Sequence, residues 1–554
     1  MNTNTSGTQQ REDTIAEIKA DRKIWDLVVI GGGITGAGIF REAVRQGYRT
    51  LLVEKHDYSW GTSSRSSRMV HGGLRYLASG QYRITRDSVR ERERFIAEVP
   101  GLVDPLPYIM PHYANKSPSP RVFNVLLSVY DHIASRRTRH FLKPHKVQHW
   151  LPEIDMNGLV GGTRYEDAVT DDCRMVLRLI QEACDAGGTA VNYTAAEAVV
   201  PGGVSEPAQV TLKDHGPESP GESWTVRSHA VISATGPWTD RVRSMLGADE
   251  VIRPLRGSHL LVPFWRLPVM ASLTMRHPED KRALFIFPWE GATVIGTTDL
   301  DHEGDLDDEV AISDEEVRYL LAAANAAFPR VELSREDVVS TWSGVRPIVV
   351  EGDDPDKPPS GASREHVIWD DGGVISVAGG KLTTFRIIAN DALTKAARYL
   401  PGEGSRQKSG RAGRGVSAPE ARADRVFDLV ESSDPPADIS VRQWHRVQGW
   451  YGNRTAEMLA SGPHERIADT DMLYAELAFA ARREHVVHLD DLLLRRSRVG
   501  LLIRDGGEAV LEKIGALCRP ILGWDTARWN AEVERYQAIR EQAYSLPGAP
   551  VHTP

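Results

Sequence analysis

Six residues near the start of the chain, Gly31-Gly32-Gly33-Ile34-Thr35-Gly36, carry the G-x-G-x-x-G spacing. That spacing lets a backbone turn tightly at Gly31, approach a pyrophosphate at Gly33 and pack a helix against a strand at Gly36. The apolar run Asp26 to Ile30 leads into it and a helical pattern from Ile34 to Gln46 follows. Helix N–H groups therefore face the phosphates. Glu54, with Lys55 beside it, closes the next apolar run. It stands about 20 residues on, where an acid takes the ribose hydroxyls. Far downstream, Ala234-Thr235-Gly236 and Ala378-Gly379-Gly380 repeat the strand-then-glycine pattern. An ordinary strand-to-helix turn explains either one alone. Together they bring two further strand ends to one long cofactor, which favours FAD over a nicotinamide dinucleotide. After Glu54 comes a loop rich in Ser, Gly and Arg, with Ser63, Ser64, Ser66 and Ser67 in it. Thr62, Ser63 and Ser64 are expected to meet the cofactor as a group, and Gly380, Lys381 and Leu382 to lie by the flavin carbonyls at a helix start.

The elements that must hold these residues follow from hydrophobic period and turn chemistry. Strand, glycine turn, helix and strand from Trp25 to Val53 form one β-α-β unit, its helix stopped by Gly47. Thr85 to Val99 reads as a charged helix with a solvated face and the pairs Asp87–Arg90 and Glu91–Arg94. Leu284 to Phe287 and Thr293 to Gly296 alternate like paired strands. Gly402 to Gly415 is a linker, and helical patterns follow it.

The totals narrow the class. A chain of 554 residues holds more than one core. A net charge of −9 argues against a generic nucleic-acid binder. The three cysteines, Cys173, Cys184 and Cys518, have no metal-binding spacing, so no metal is expected. Polar residues open the chain, and no apolar run reaches the ~18 residues of a spanning helix. The expectation is a cytoplasmic protein, lying at most on a membrane surface.

Several longer motifs resemble flavin-dependent glycerol-3-phosphate dehydrogenases. They are Asp26 to Gly38, Thr62 to Leu77 (TSSRSSRMVHGGLRYL), Ala234 to Trp238, Arg256 to Pro263 (RGSHLLVP), Ile295 to Asp299, Ser343 to Pro347 and Gly379 to Arg386 (GGKLTTFR). Thr35 stands where that family commonly has Asn, and Arg68 where Lys is common. The resemblance implies an α/β fold: a Rossmann-like FAD-binding domain of the glutathione-reductase/D-amino-acid-oxidase type, an antiparallel-sheet substrate domain and an all-α C-terminal domain. The expected boundaries are a flexible segment 1–24, an FAD-binding domain of 25–90, 165–245 and 365–400, and a substrate-binding, membrane-facing domain of 91–164 and 246–364. A linker 401–415 and a helical domain 416–554 complete the chain.

The implied reaction takes sn-glycerol 3-phosphate to dihydroxyacetone phosphate by hydride transfer from C2 to flavin N5, with electrons passed to a membrane quinone. Matching positions make Arg75 and Arg346 the phosphate clamp with Tyr76 beside the first, since an arginine fork binds two oxygens at once. They make His259 the candidate base, Arg346 a stabiliser of the developing alkoxide, and Lys381 a contact to phosphate or flavin. From sequence alone a core histidine is the stronger reading of His259. His71 is placed under the isoalloxazine or in the loop, with Gly72, Gly73, Leu74 and Thr383 among the cofactor contacts.

Val122, Leu126, Val129 and Ile133 recur at helical spacing, and Arg136, Arg137, Arg139, Lys143 and Lys146 follow. An apolar stripe with a basic cluster fits peripheral contact with the inner face of the cytoplasmic membrane. A core-facing helix with a solvated basic turn is the alternative. Two other functions stay open, a glycerol-3-phosphate oxidase making hydrogen peroxide and a non-catalytic flavin sensor; an amine or amino-acid oxidase shares the implied fold, but a carboxylate substrate does not explain HGGLRYL and GGKLTTFR. A homodimer also stays open.

Overall fold

The computed structural model describes residues 7–548 except 79, 115, 117, 218–219, 351–364, 403–424 and 431–432, and the side chains of 75 and 78 lie outside the description. Nearly all of the expected linker therefore falls outside the described residues.

Two sheets organise the chain. In the first, Val374–Gly379, Ser223–Ser233, Trp25–Ile30, Thr50–Val53 and Thr189–Val191 run parallel in that order. His366–Asp370 adds an antiparallel edge. Val28 and Val29 are fully buried because helices cover one face and a second apolar layer the other, as parallel sheets require. All three glycine turns leave the same, C-terminal edge of the parallel strands. The second sheet has ten strands. One side of it is the long pair Ile252–Pro263 and Ser340–Val349, and Ala283–Trp289 pairs with Ala292–Gly296. It is antiparallel apart from Ser272–Arg276 beside Val103–Tyr113.

Three expectations need correction. Met69–Val70 pairs with Leu159–Thr170 in the second sheet, so the chain crosses between sheets at Ser66 to Arg68 and returns at Asp172, not at 90 and 165. Alternation marks a strand without saying which sheet it joins. The lead-in is a docked helix, Gly7–Ala20, which buries Ile15 and Ile18. Its Arg11 is 2% exposed and ion-paired to Asp214, a long-range partner that no local pattern reveals. In the helix Tyr82–Glu98, Glu91 instead pairs with Arg386 at 2.7 Å, and Arg92 is buried against Asp167.

After the linker, Val441–Tyr451, Tyr474–Arg483, Leu511–Leu522 and Thr526–Ile539 are helices, with only an isolated bridge at Arg466 and Leu473 among the described residues. Their apolar faces share one core with the first sheet.

Candidate active site

The first cavity, about 330 Å³, opens at the C-terminal edge of the parallel sheet. Gly31, Gly33, Ile34, Thr35, Glu54, Lys55, Thr62, Ser63, Ala234, Thr235, Gly236, Gly380, Lys381 and Leu382 all line it. Gly31 has φ +108°, and a Cβ there would stand 2.6 Å from the Ala234 carbonyl oxygen. A Cβ at Gly36 would fall 1.8 Å from the Gly31 carbonyl, so this residue packs helix on turn and does not face the cavity. Gly33 caps the helix Ile34–Arg45 without a side-chain bond, and Ile34 N–H donates to Ser63 Oγ at 2.9 Å. Glu54 accepts from Gly32 N–H at 2.6 Å and His56 N–H at 2.8 Å. Desolvation holds its carboxyl above the usual range. An exposed helix N-terminus, an acid at the second strand end and a wall cleared by glycines fit FAD, with the pyrophosphate at Gly33 to Thr35 and the ribose at Glu54.

The cleft has a roof that the sequence did not announce. Asp307 bonds Lys55 at 2.6 Å and Trp238 at 2.8 Å, and Glu309 bonds Trp60 at 3.1 Å and Arg65 at 2.6 Å. Lys55, Arg241 and the Trp238 indole N–H hold the Asp307 carboxyl well below its ordinary range, against its own desolvation. A loop of the second sheet thus reaches over a cavity of the first.

The second cavity, about 600 Å³, shares Thr62, Pro347, Gly380, Lys381 and Leu382 with the first. His71, Gly73, Leu74, Tyr76, Arg346 and Thr383 line it. The Arg346 guanidinium is held by Asp299 at 2.9 Å and Thr297 Oγ1 at 3.2 Å, and Arg282 reaches the other Asp299 oxygen at 3.3 Å. Lys381 lies 3.7 Å over the Tyr76 ring, with Ser88 Oγ at 3.2 Å. Arg65, Arg276 and Arg282 add positive charge to the wall, Asp167 and Asp299 negative. Arg75 sits in the short helix Leu74–Ala78, and its side chain lies outside the described residues.

Besides Gly36, three expected contacts do not reach either cavity. Ser64 is buried and turns its hydroxyl to the Trp60 and Gly61 carbonyls, at 3.4 and 3.5 Å. Gly72 packs beneath Tyr130, its N–H on Asp167 at 3.1 Å. His259 is 1% exposed and sits one layer behind the wall, with Nε2 2.8 Å from Ser67 Oγ and its ring stacked 4.8 Å from Trp342. Burial, Arg346 and Arg68 depress its pKa well below the usual imidazole value, so it is neutral at neutral pH. Ser67, in contrast, does line the cavity. Of this pair, Ser67 faces the cavity and His259 stands behind it. The core position is the one that the sequence alone favoured for His259. Pairing across Trp342 and Gly296 explains why it stays there.

A dinucleotide cleft at the end of a parallel sheet, opening into a charged cavity under a second sheet, defines an FAD-dependent oxidoreductase, and the profile of the DAO family of FAD-dependent oxidoreductases matches residues 26–386. The C-terminal domain of alpha-glycerophosphate oxidase matches residues 413–529. A glycerol-3-phosphate dehydrogenase of Synechocystis is 32% identical over 94% of this chain and 96% of its own length. Glycerol-3-phosphate dehydrogenase 2 of Mycobacterium tuberculosis is 31% identical over 93% and 88%. The chain belongs to the glycerol-3-phosphate dehydrogenase family. The structure of the glycerol-3-phosphate dehydrogenase from Bacillus halodurans complexed with FAD superposes with a TM-score of 0.71, at 25% identity, over 97% of this chain and 98% of that one.

Proposed function

We propose that this enzyme oxidises sn-glycerol 3-phosphate to dihydroxyacetone phosphate and passes the two electrons to a membrane quinone. The observation that carries this reading is the shared wall at Thr62, Pro347 and Gly380 to Leu382, which sets a cation-rich cavity of substrate size against the cofactor cleft. Bound FAD supplies the acceptor for the C2 hydride.

The protein's own groups do the rest. Lys381 and Tyr76 hold the phosphate dianion at one end of the cavity, and Arg75 keeps the clamping role that the resemblance implies. Arg346, aimed by Asp299 and Thr297, stands by the C2 oxygen and stabilises negative charge as its proton leaves. Ser67 Oγ takes that proton and hands its own to His259 Nε2. Burial, with the fields of Arg346 and Arg68, keeps His259 neutral beforehand, and the substrate's two negative charges offset the two cations once it is bound.

The helix Pro120–Ile133 supports membrane contact. Val122, Phe123 and Leu126 line the second cavity from inside, while Val122, Val125 and Val129 are 64%, 66% and 40% exposed outside. The outward stripe therefore runs through Val125, and Leu126 and Ile133 face the protein. Phe141 and Val160 are likewise exposed. Arg137, Lys143 and Lys146 are exposed around it, whereas Arg136 and Arg139 pair with Glu166 and Asp131. No helix among the described residues is long and apolar enough to cross a membrane.

Turnover with a soluble quinone on anionic vesicles tests the reading. One quinol should form per dihydroxyacetone phosphate, with little peroxide, and high salt should release the protein. Stoichiometric peroxide in air would make the enzyme an oxidase instead. Indifference to vesicles would remove the membrane.

A further inference from the structure

The C-terminal domain contributes a run of basic residues, Arg495, Arg496 and Arg498, each no more than 1% exposed. The first two close on Asp57, three residues beyond Glu54, with Arg495 Nε at 2.5 Å and Arg496 Nη2 at 2.7 Å. Arg498 reaches further into the molecule. Its Nε bonds Asp171 at 2.8 Å and its Nη2 bonds Asp172 at 2.7 Å. The other oxygen of Asp172 accepts both Ser66 N–H at 3.0 Å and Ser66 Oγ at 2.7 Å. Ser66 Oγ then accepts Arg68 N–H at 3.0 Å, and Ser66 O accepts Trp342 Nε1 at 3.2 Å.

This lattice encloses one residue, Ser67, whose hydroxyl faces the second cavity and holds His259. Both neighbours of Ser67 are fixed by Asp172 or by groups bonded to it. Arg68 adopts φ +53°, a conformation a side chain accepts only when its surroundings impose it. Its guanidinium lies 3.9 Å from Trp289 and 4.0 Å from Trp342, the ring on which His259 stacks. Burial presses that guanidinium down to about 10, and the Asp172 carboxyl is pushed up by the same burial, with Arg68 and Arg498 as its opposing cations. Without Arg498, Asp172 loses the cation hydrogen-bonded to it, and the charge of Arg68, 3.6 Å away, is left to act through space alone. A protonated Asp172 no longer offers two acceptor oxygens, and the Ser66 bonds that shape the turn loosen.

We infer that Arg498 is a positioning residue for the oxidation: through Asp172 and Ser66 the C-terminal domain sets the turn that aims Ser67 and His259 at the substrate hydroxyl. This rests on the proposed roles of Ser67 and His259. The helical domain is then a working part of the catalytic centre. A stabilising cap needs no such connection, because well-packed apolar residues serve as well as buried ion pairs.

The test uses purified, FAD-loaded enzyme mixed anaerobically with sn-glycerol 3-phosphate, with flavin bleaching followed across pH 6 to 9. Wild-type bleaching establishes the substrate reading on its own, and its absence would overturn that reading before any variant is compared. With it in hand, Arg498→Met should slow bleaching about 10- to 100-fold at saturating substrate. FAD content and the substrate concentration at half-saturation should hardly change, and the pH profile should shift. Ser66→Ala should slow the same step, and the double variant should be no slower than the slower single one. Wild-type rates in Arg498→Met, multiplying losses in the double variant, or activity falling only in proportion to lost FAD would each overturn the inference. If Arg498→Met does not fold, Arg498→Lys takes its place in the cycle. There the same non-additivity is expected, and simple multiplication would overturn the inference.

Discussion

The two cavities of this enzyme are built from different materials. The cofactor cleft is walled chiefly by backbone and small side chains at three strand ends of one sheet. The substrate cavity is walled by charged and aromatic side chains drawn from both sheets and the loops between them. Backbone walls recognise what every dinucleotide shares, a pyrophosphate and ribose hydroxyls. Side-chain walls recognise one substrate, and each of their charges needs a partner of its own, as Arg346 has in Asp299 and Asp299 in Arg282. The first site tolerates change in its side chains and little in its glycines. The second should behave in the opposite way.

The largest effect should come from the side-chain wall. Replacing Arg346 by Met removes the cation beside the reacting oxygen, and kcat/KM should fall about 1,000-fold while the flavin stays bound. Full loss of flavin in that variant would mean that the two sites are not separable. The next effect belongs to the backbone wall. Gly31→Ala places a Cβ against the Ala234 carbonyl at a φ of +108°, and apparent FAD affinity, read by titration of the apoprotein, should weaken about 100-fold. An unchanged affinity would show that the turn relaxes at no cost.

A smaller effect concerns pH. His56, stacked on Trp60 in the cofactor cleft, and His485, behind Tyr58, are both pressed down to about 4 by burial and neighbouring cations. Between that value and the ordinary 6.5 the unfolded chain binds more protons than the folded one, so stability falls as pH falls. The loss at pH 5 should be on the order of 2 kcal/mol for each histidine. Glu290, raised to about 7 by desolvation, works the other way, its contribution being lost as pH rises towards that value. Thermal melts should therefore drop from pH 6.5 to 5, and His485→Gln should flatten that slope. A slope unaffected by His485→Gln would assign the acid limb elsewhere.

The same contrast explains what could be read from the sequence. Gly31 to Gly36, Glu54 and the turns at Gly236 and Gly380 were legible because local spacing alone creates a phosphate cradle. Their relation to one sheet edge followed from the strands that carry them. Arg346, Tyr76 and Lys381 carry no such local signature and became visible only through resemblance to a family. Asp299 lay inside a motif already noticed, IGTTD, yet its role appears only when Arg346 and Arg282 are seen on either side of it. His259 illustrates the limit from the other direction. A core histidine was the stronger reading of the sequence alone, and it is core, bonded to the cavity-facing Ser67. The helix at Gly7–Ala20, the roof at Asp307 and the reach of Arg498 share a single cause: each depends on ion pairs between residues far apart in sequence. Hydrophobic period does not encode such pairs.

The measurement that bears most directly on the account is an anaerobic spectral titration of the FAD-loaded protein with sn-glycerol 3-phosphate, beside glycerol and NADH. The account predicts full bleaching of the flavin by about one equivalent of the phosphorylated alcohol, for a hydride transferred directly between adjoining cavities, and none by the other two. A bound flavin that stays oxidised would contradict it, leaving the fold and the cofactor cleft in place while removing the substrate from the second cavity.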